Sequence, residues 1–182
     1  YPASYRSEDL ILGELDQTEV EICDFAAFNM EPSGKMMKGL RTTTFQGILF
    51  KATFPKELAH WVYVCDKKEG CLRKEGEIAL MDSPSFNRYF DVFTEDQILA
   101  RYALSPKLME RFCGLKEKFN SPISMVLRDR EVIIAVYLGK NSFEPSFEKS
   151  LLEDNTIRDY ISSIKGFTDM VKELGLNNHI WK

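Results

Sequence analysis

Histidine is almost absent. The 182 residues hold only His60 and His179, so metal-binding or proton-relay chemistry would have to lean on carboxylates or thiols. Cysteine is sparse too. Cys23, Cys65, Cys71 and Cys113 are too few for a disulfide framework in a chain of this length, and each lies in or beside an apolar segment. That placement predicts buried free thiols in a reducing compartment. Cys65 and Cys71 could face each other across a hairpin, but zinc asks for four ligands and no second Cys or His pair accompanies them, so no metal is expected. Long apolar runs are missing: the longest, Val132 to Leu138, falls far short of the roughly 20 residues of a membrane-spanning helix. Charge leans only slightly, with 24 Lys and Arg against 28 Asp and Glu for a net −4, and no basic stretch suits a nucleic-acid backbone. Nucleic acid is therefore not an expected partner. No glycine-rich phosphate loop, Gly-x-Ser-x-Gly elbow or calcium-binding loop occurs, and no cofactor is expected. The chain opens at Tyr1-Pro2 with neither an initiator Met nor a signal peptide, from which a removed upstream segment is expected.

What is present is the balance of a globular protein, 44% hydrophobic and 29% charged, in a length that suits a single soluble domain over residues 1–182. Apolar and acidic residues alternate from Glu19 to Phe25, the pattern of a strand with one dry face, and Leu10 and Leu12 supply its hairpin partner. Ile48, Phe50, Ala52 and Phe54 repeat the alternation, and Trp61 to Cys65 reads as a further strand. Thr94 and Gln97 form a capping box for a short helix running to about Tyr102. Ser105-Pro106 starts a second helix, whose core face is Leu108, Phe112, Leu115 and Phe119. The charged tetrad Arg128 to Glu131 reads as a hairpin tip between Ile123–Leu127 and Val132–Leu138, and the latter strand, apolar on both faces, is expected at the centre of a sheet. Ile157, Ile161, Ile164, Val171 and Leu174 mark a long amphipathic helix closed by Gly175. The expectation is an α+β fold: an antiparallel sheet of hairpins, a short capped helix, a helix-hairpin-helix second half, and the C-terminal helix packed on the sheet.

Most reactive side chains have a plain structural reading. His60 begins a strand beside Trp61 and Tyr63, Cys113 neighbours the core residue Phe112, and Glu19 and Glu21 lie on a wetted face. Two clusters are less plain. Arg101 and Tyr102 end the short helix and Glu110 and Arg111 sit on the next, so a salt-bridge fork across that corner, or a ligand site, is within reach. Lys35, Met36, Met37 and Lys38, basic and apolar together in a loop, are membrane-contact candidates.

At Asp96-Gln97, Ala100-Arg101-Tyr102, Leu104-Ser105-Pro106 and Leu108-Met109-Glu110-Arg111 the chain resembles the bacterial family catalogued as domain of unknown function number 3137. The likeness continues in Phe143-Glu144-Pro145, Leu174, Leu176-Asn177 and Ile180-Trp181, while the Arg128 to Glu131 and Lys35 to Leu40 segments look individual to this chain. The resemblance implies transmembrane helices ahead of this region and a place on the cytoplasmic face of a bacterial inner membrane; it implies no activity. Two functions are expected to compete: a non-enzymatic binding or regulatory module for an unknown protein or small ligand, and a hydrolase-like enzyme whose site gathers distant residues such as His60, Cys65, Asp66 and Arg101. Convergence of such groups in a concave pocket would separate them.

Overall fold

The computed structural model describes residues 4–15, 18–31, 40–69, 76–139 and residue 172. Alternation in the first two segments makes β1 (Ser4–Leu15) and β2 (Thr18–Glu31), which pair as the expected hairpin, with Leu12 opposite Glu21. The chain continues as β3 (Leu40–Asp66), β4 (Glu77–Ala79), α1 (Pro84–Tyr89), β5 (Phe90–Thr94), α2 (Gln97–Ala103), α3 (Pro106–Phe119) and β6 (Ile123–Tyr137). The strands form one antiparallel sheet in the order β1-β2-β3-β5-β4, and β6 lies along the opposite edge of β3.

The fold is mainly β, which corrects the expected α+β arrangement. Among the described residues three short helices accompany six strands, and the expected C-terminal helix from Ile157 to Leu174 lies outside them. Two expected breaks are also not breaks. The segments around Ile48–Phe54 and Trp61–Cys65 belong to the single 27-residue β3. The tetrad Arg128 to Glu131 lies inside β6 rather than at a hairpin tip. The physical reason is a shared bend. The β3–β6 register shifts on either side of the Leu58–Asp129 pair, and Asp129 takes a left-handed φ of 51°, so both strands turn together and the four charges point outward without reversing the chain. Nor is β6 central, since β3 is its one strand partner among the described residues.

One face of the sheet is the core. Val20 and Ile22 of β2, Ile48 and Phe50 of β3, and Ile134 and Val136 of β6 share one buried core with Leu108, Phe112 and Leu115 of α3. Burial of each such side chain contributes about 1.5–3 kcal/mol. Phe112 and Phe86 close on Phe90 with ring centroids 4.8 and 5.0 Å away, while Phe119 is only partly buried. Ser105 caps α3 as expected, accepting from the Leu108 N–H, with Pro106 in the first turn. The cap of α2 differs: Asp96 accepts from the Ile98 and Leu99 N–H groups, whereas Thr94 ends β5 and braces Asp96 through its hydroxyl. A carboxylate one residue before the helix satisfies two orphan donors at once, and that outcompetes the more distant hydroxyl.

Candidate functional site

The alternation that buries one face of the sheet offers the other outward. Cys23 of β2, Leu49 of β3 and Ala135 of β6 stand in register across that outer face, and all three are half-buried. A row of aromatics crosses these three strands and β1: the ring centroids of Tyr5 and Phe25 lie 5.9 Å apart, those of Phe25 and Phe45 6.2 Å, and those of Phe45 and Tyr137 5.9 Å. Gly47 occupies the lane between Phe25 and Tyr137. A Cβ there would sit 2.0 Å from the Val136 carbonyl oxygen, so only glycine allows β6 to approach β3 this closely.

Along the strands the apolar field gives way to charge. Lys51 stands between Glu21 and Ile133, and its Nζ lies 2.8 Å from Glu131 and 3.4 Å from Glu21. Its hydrogen bond to Glu131 holds the ammonium above the usual lysine range, against the opposing effect of partial burial. Glu14 and Glu19 face each other directly across β1 and β2, and neither has a cation partner among the described residues. Glu19, Glu21, Lys51, Thr53 and Glu131 line a small depression of about 60 Å³, room for about two waters. This end of the face thus presents four carboxylates to one ammonium.

Among the described residues, those singled out in the sequence do not form one cluster. Arg101 donates to the carbonyl oxygens of Gln97 at 3.4 Å and Leu80 at 3.3 Å, tying α2 to the end of β4; the expected fork to Glu110 is not made. Glu110 is exposed on α3 and Arg111 is half-buried there. The Tyr102 carbonyl accepts from Lys56, whose Nζ also lies 4.2 Å from the Tyr102 ring centroid. Burial pushes the Lys56 ammonium below its usual range. Nothing in the Pro55-Lys56-Glu57 stretch signals that burial, which follows from docking α2 on β3. The loop candidates Lys35, Met36, Met37 and Lys38 lie outside the described residues.

The distant set weighed for hydrolysis is also dispersed. His60 pairs with Glu95 at 3.1 Å on the surface. Asp66 is buried and accepts from Lys116 at 2.5 Å and from the Ile123 N–H at 3.1 Å, knitting α3 to β3 and β6. Cys65 is disulfide-bonded, which corrects the expectation of free thiols throughout; Cys23 and Cys113 are free, and Cys71 lies outside the described residues. Burial, with the nearby Glu117, raises the Cys113 thiol above its usual range and keeps it a poor nucleophile.

The family model described as "Protein of unknown function (DUF3137)" matches residues 43–176, and the chain belongs to that family. No curated protein matches the sequence. Among solved structures, the chain is similar to the crystal structure of the mycobacterial trehalose monomycolate transport factor A, TtfA, at 11% identity and a TM-score of 0.46, with 92% of this chain and 73% of that chain covered.

Proposed function

For a member of a family that brings no activity with it, we propose a non-enzymatic docking module that binds a protein partner across the outer face of β1, β2, β3 and β6. The observation that carries this reading is the run of half-buried apolar side chains on that face, Phe25, Phe45, Leu49 and Tyr137 among them, bordered by charge at the Lys51 end. Contiguous apolar surface rimmed by polar groups is how soluble proteins mark binding sites. The depression beside it, about 60 Å³, is far below the roughly 300–1,000 Å³ of small-molecule pockets. A broad protein surface suits such a face better than a small ligand does.

A photo-crosslinking side chain at Leu49 in living cells tests the reading. It is expected to give one defined adduct, lost in a Phe25→Lys variant and absent when the probe replaces exposed Glu110 on α3. No adduct from Leu49, or equal adducts from both positions, would sink it.

The family resemblance favours a cytoplasmic setting, and the disulfide at Cys65 opposes it, because disulfides persist in oxidising compartments. No helix among the described residues is long and apolar enough to cross a membrane. Because Cys65 is buried, acid-quenching of cells followed by alkylation in denaturant decides the compartment: a Cys65 thiol that takes up label directly supports the cytoplasmic side, and one that takes it up only after reduction opposes it.

A further inference from the structure

We propose that the occupant of the outer face is an amphipathic helix of a partner protein that carries Lys or Arg at one end of its apolar stripe. This rests on the docking reading above and goes further, because it fixes the secondary structure, the charge and the direction of the partner. Neighbouring strands lie about 4.8 Å apart, so β1, β2, β3 and β6 together span roughly 15 Å, enough for a helix about 10 Å across. From Phe45 to Thr53 the face runs along β3 for about 26 Å at roughly 3.3 Å per residue, the length of about 17 helical residues. Side chains rather than backbone groups face outward here, which favours a helix laid on the face over an added strand, whose binding needs a free edge.

Charge sets the direction and disfavours an anionic membrane or a second copy as the occupant. Glu14 and Glu19 oppose each other in register, an arrangement that destabilises a sheet until a cation stands between the two carboxylates. The only described ammonium on this face, Lys51, is already committed to Glu21 and Glu131. A helix whose basic end lies over Glu14 and Glu19 supplies the missing charge while its apolar stripe covers Cys23, Phe25, Leu49 and Tyr137. An anionic membrane surface would be repelled by these carboxylates. A second copy packed face to face would set its own carboxylates against them or against the aromatic row.

The full chain is tested with two synthetic helical peptides of about 18 residues that share a Leu/Ala stripe, one ending in three lysines and the other in three glutamates, with binding read by fluorescence anisotropy. The lysine peptide is expected to bind at least about tenfold more tightly at low salt, with the preference shrinking as salt screens the charges. A Glu14→Lys/Glu19→Lys variant is expected to reverse it; both positions are exposed, and circular dichroism verifies that the variant folds. If neither peptide binds, the docking reading itself fails. Equal binding of the two leaves docking standing and overturns the basic-ended helix, as does a lysine preference that survives the double variant. Stronger binding to anionic phosphatidylserine vesicles than to the lysine peptide would also overturn it.

Discussion

At the scale of single residues, the most consequential pair is Asp66 and Lys116. Their side chains are 2% and 9% exposed, and the carboxylate is also held by the Ile123 and Lys68 N–H groups. Lys116 in turn donates to the Ser121 carbonyl. An ion pair this deep adds little net stability when whole, since desolvation offsets the Coulomb attraction, but losing one partner leaves a buried charge uncompensated. Lys116→Met is therefore expected to cost about 3–5 kcal/mol in urea unfolding. A loss below about 1 kcal/mol would show that the pair lies in a wetter environment than this packing describes. The sequence gives no hint of the pair, because the two residues are 50 positions apart and each looks like an ordinary surface charge.

At the scale of elements, α2 tests how local signals resolve. Thr94 and Gln97 have the spacing of a capping box, yet the helix starts on Asp96, whose carboxylate takes two backbone donors at 2.8 and 3.0 Å. Asp96→Ala is expected to cost about 1 kcal/mol, the usual penalty for losing an N-cap. Thermal unfolding of the variant checks it, and an unchanged midpoint would return the cap to Thr94. Capping is read correctly at Ser105-Pro106, where a single motif is available. It is misread at Thr94 because two cap candidates compete and pairing of β5 with β3 and β4 claims Thr94 for the strand.

For the molecule as a whole, β3 is the axis. It pairs with β2, β5 and β6, and Gly47 lies where β2 and β6 both press against it. Gly47→Ala would place a methyl 2.0 Å from the Val136 carbonyl, backbone that has no room to yield. It is expected to destabilise by more than about 3 kcal/mol, beyond the range of most point substitutions, measured by denaturant unfolding; a near-neutral variant would mean that β6 is not packed against β3 at this point. The sequence by itself determined the β1–β2 hairpin, the cap and buried face of α3, and the family, because period-two alternation, helix spacing and motif residues are local properties of the chain. Only the tertiary structure decided that Ile48 to Cys65 forms part of one long strand and that the Arg128 to Glu131 charges ride inside another. Whether a polar stretch becomes a turn or a bent strand depends on a partner distant in sequence, here the Leu58–Asp129 pairing. The outer face has the same origin: Glu19 and Glu21 read as solvated acids in one strand, and register across β1, β2, β3 and β6 is what brings them beside Glu14, Lys51 and Glu131.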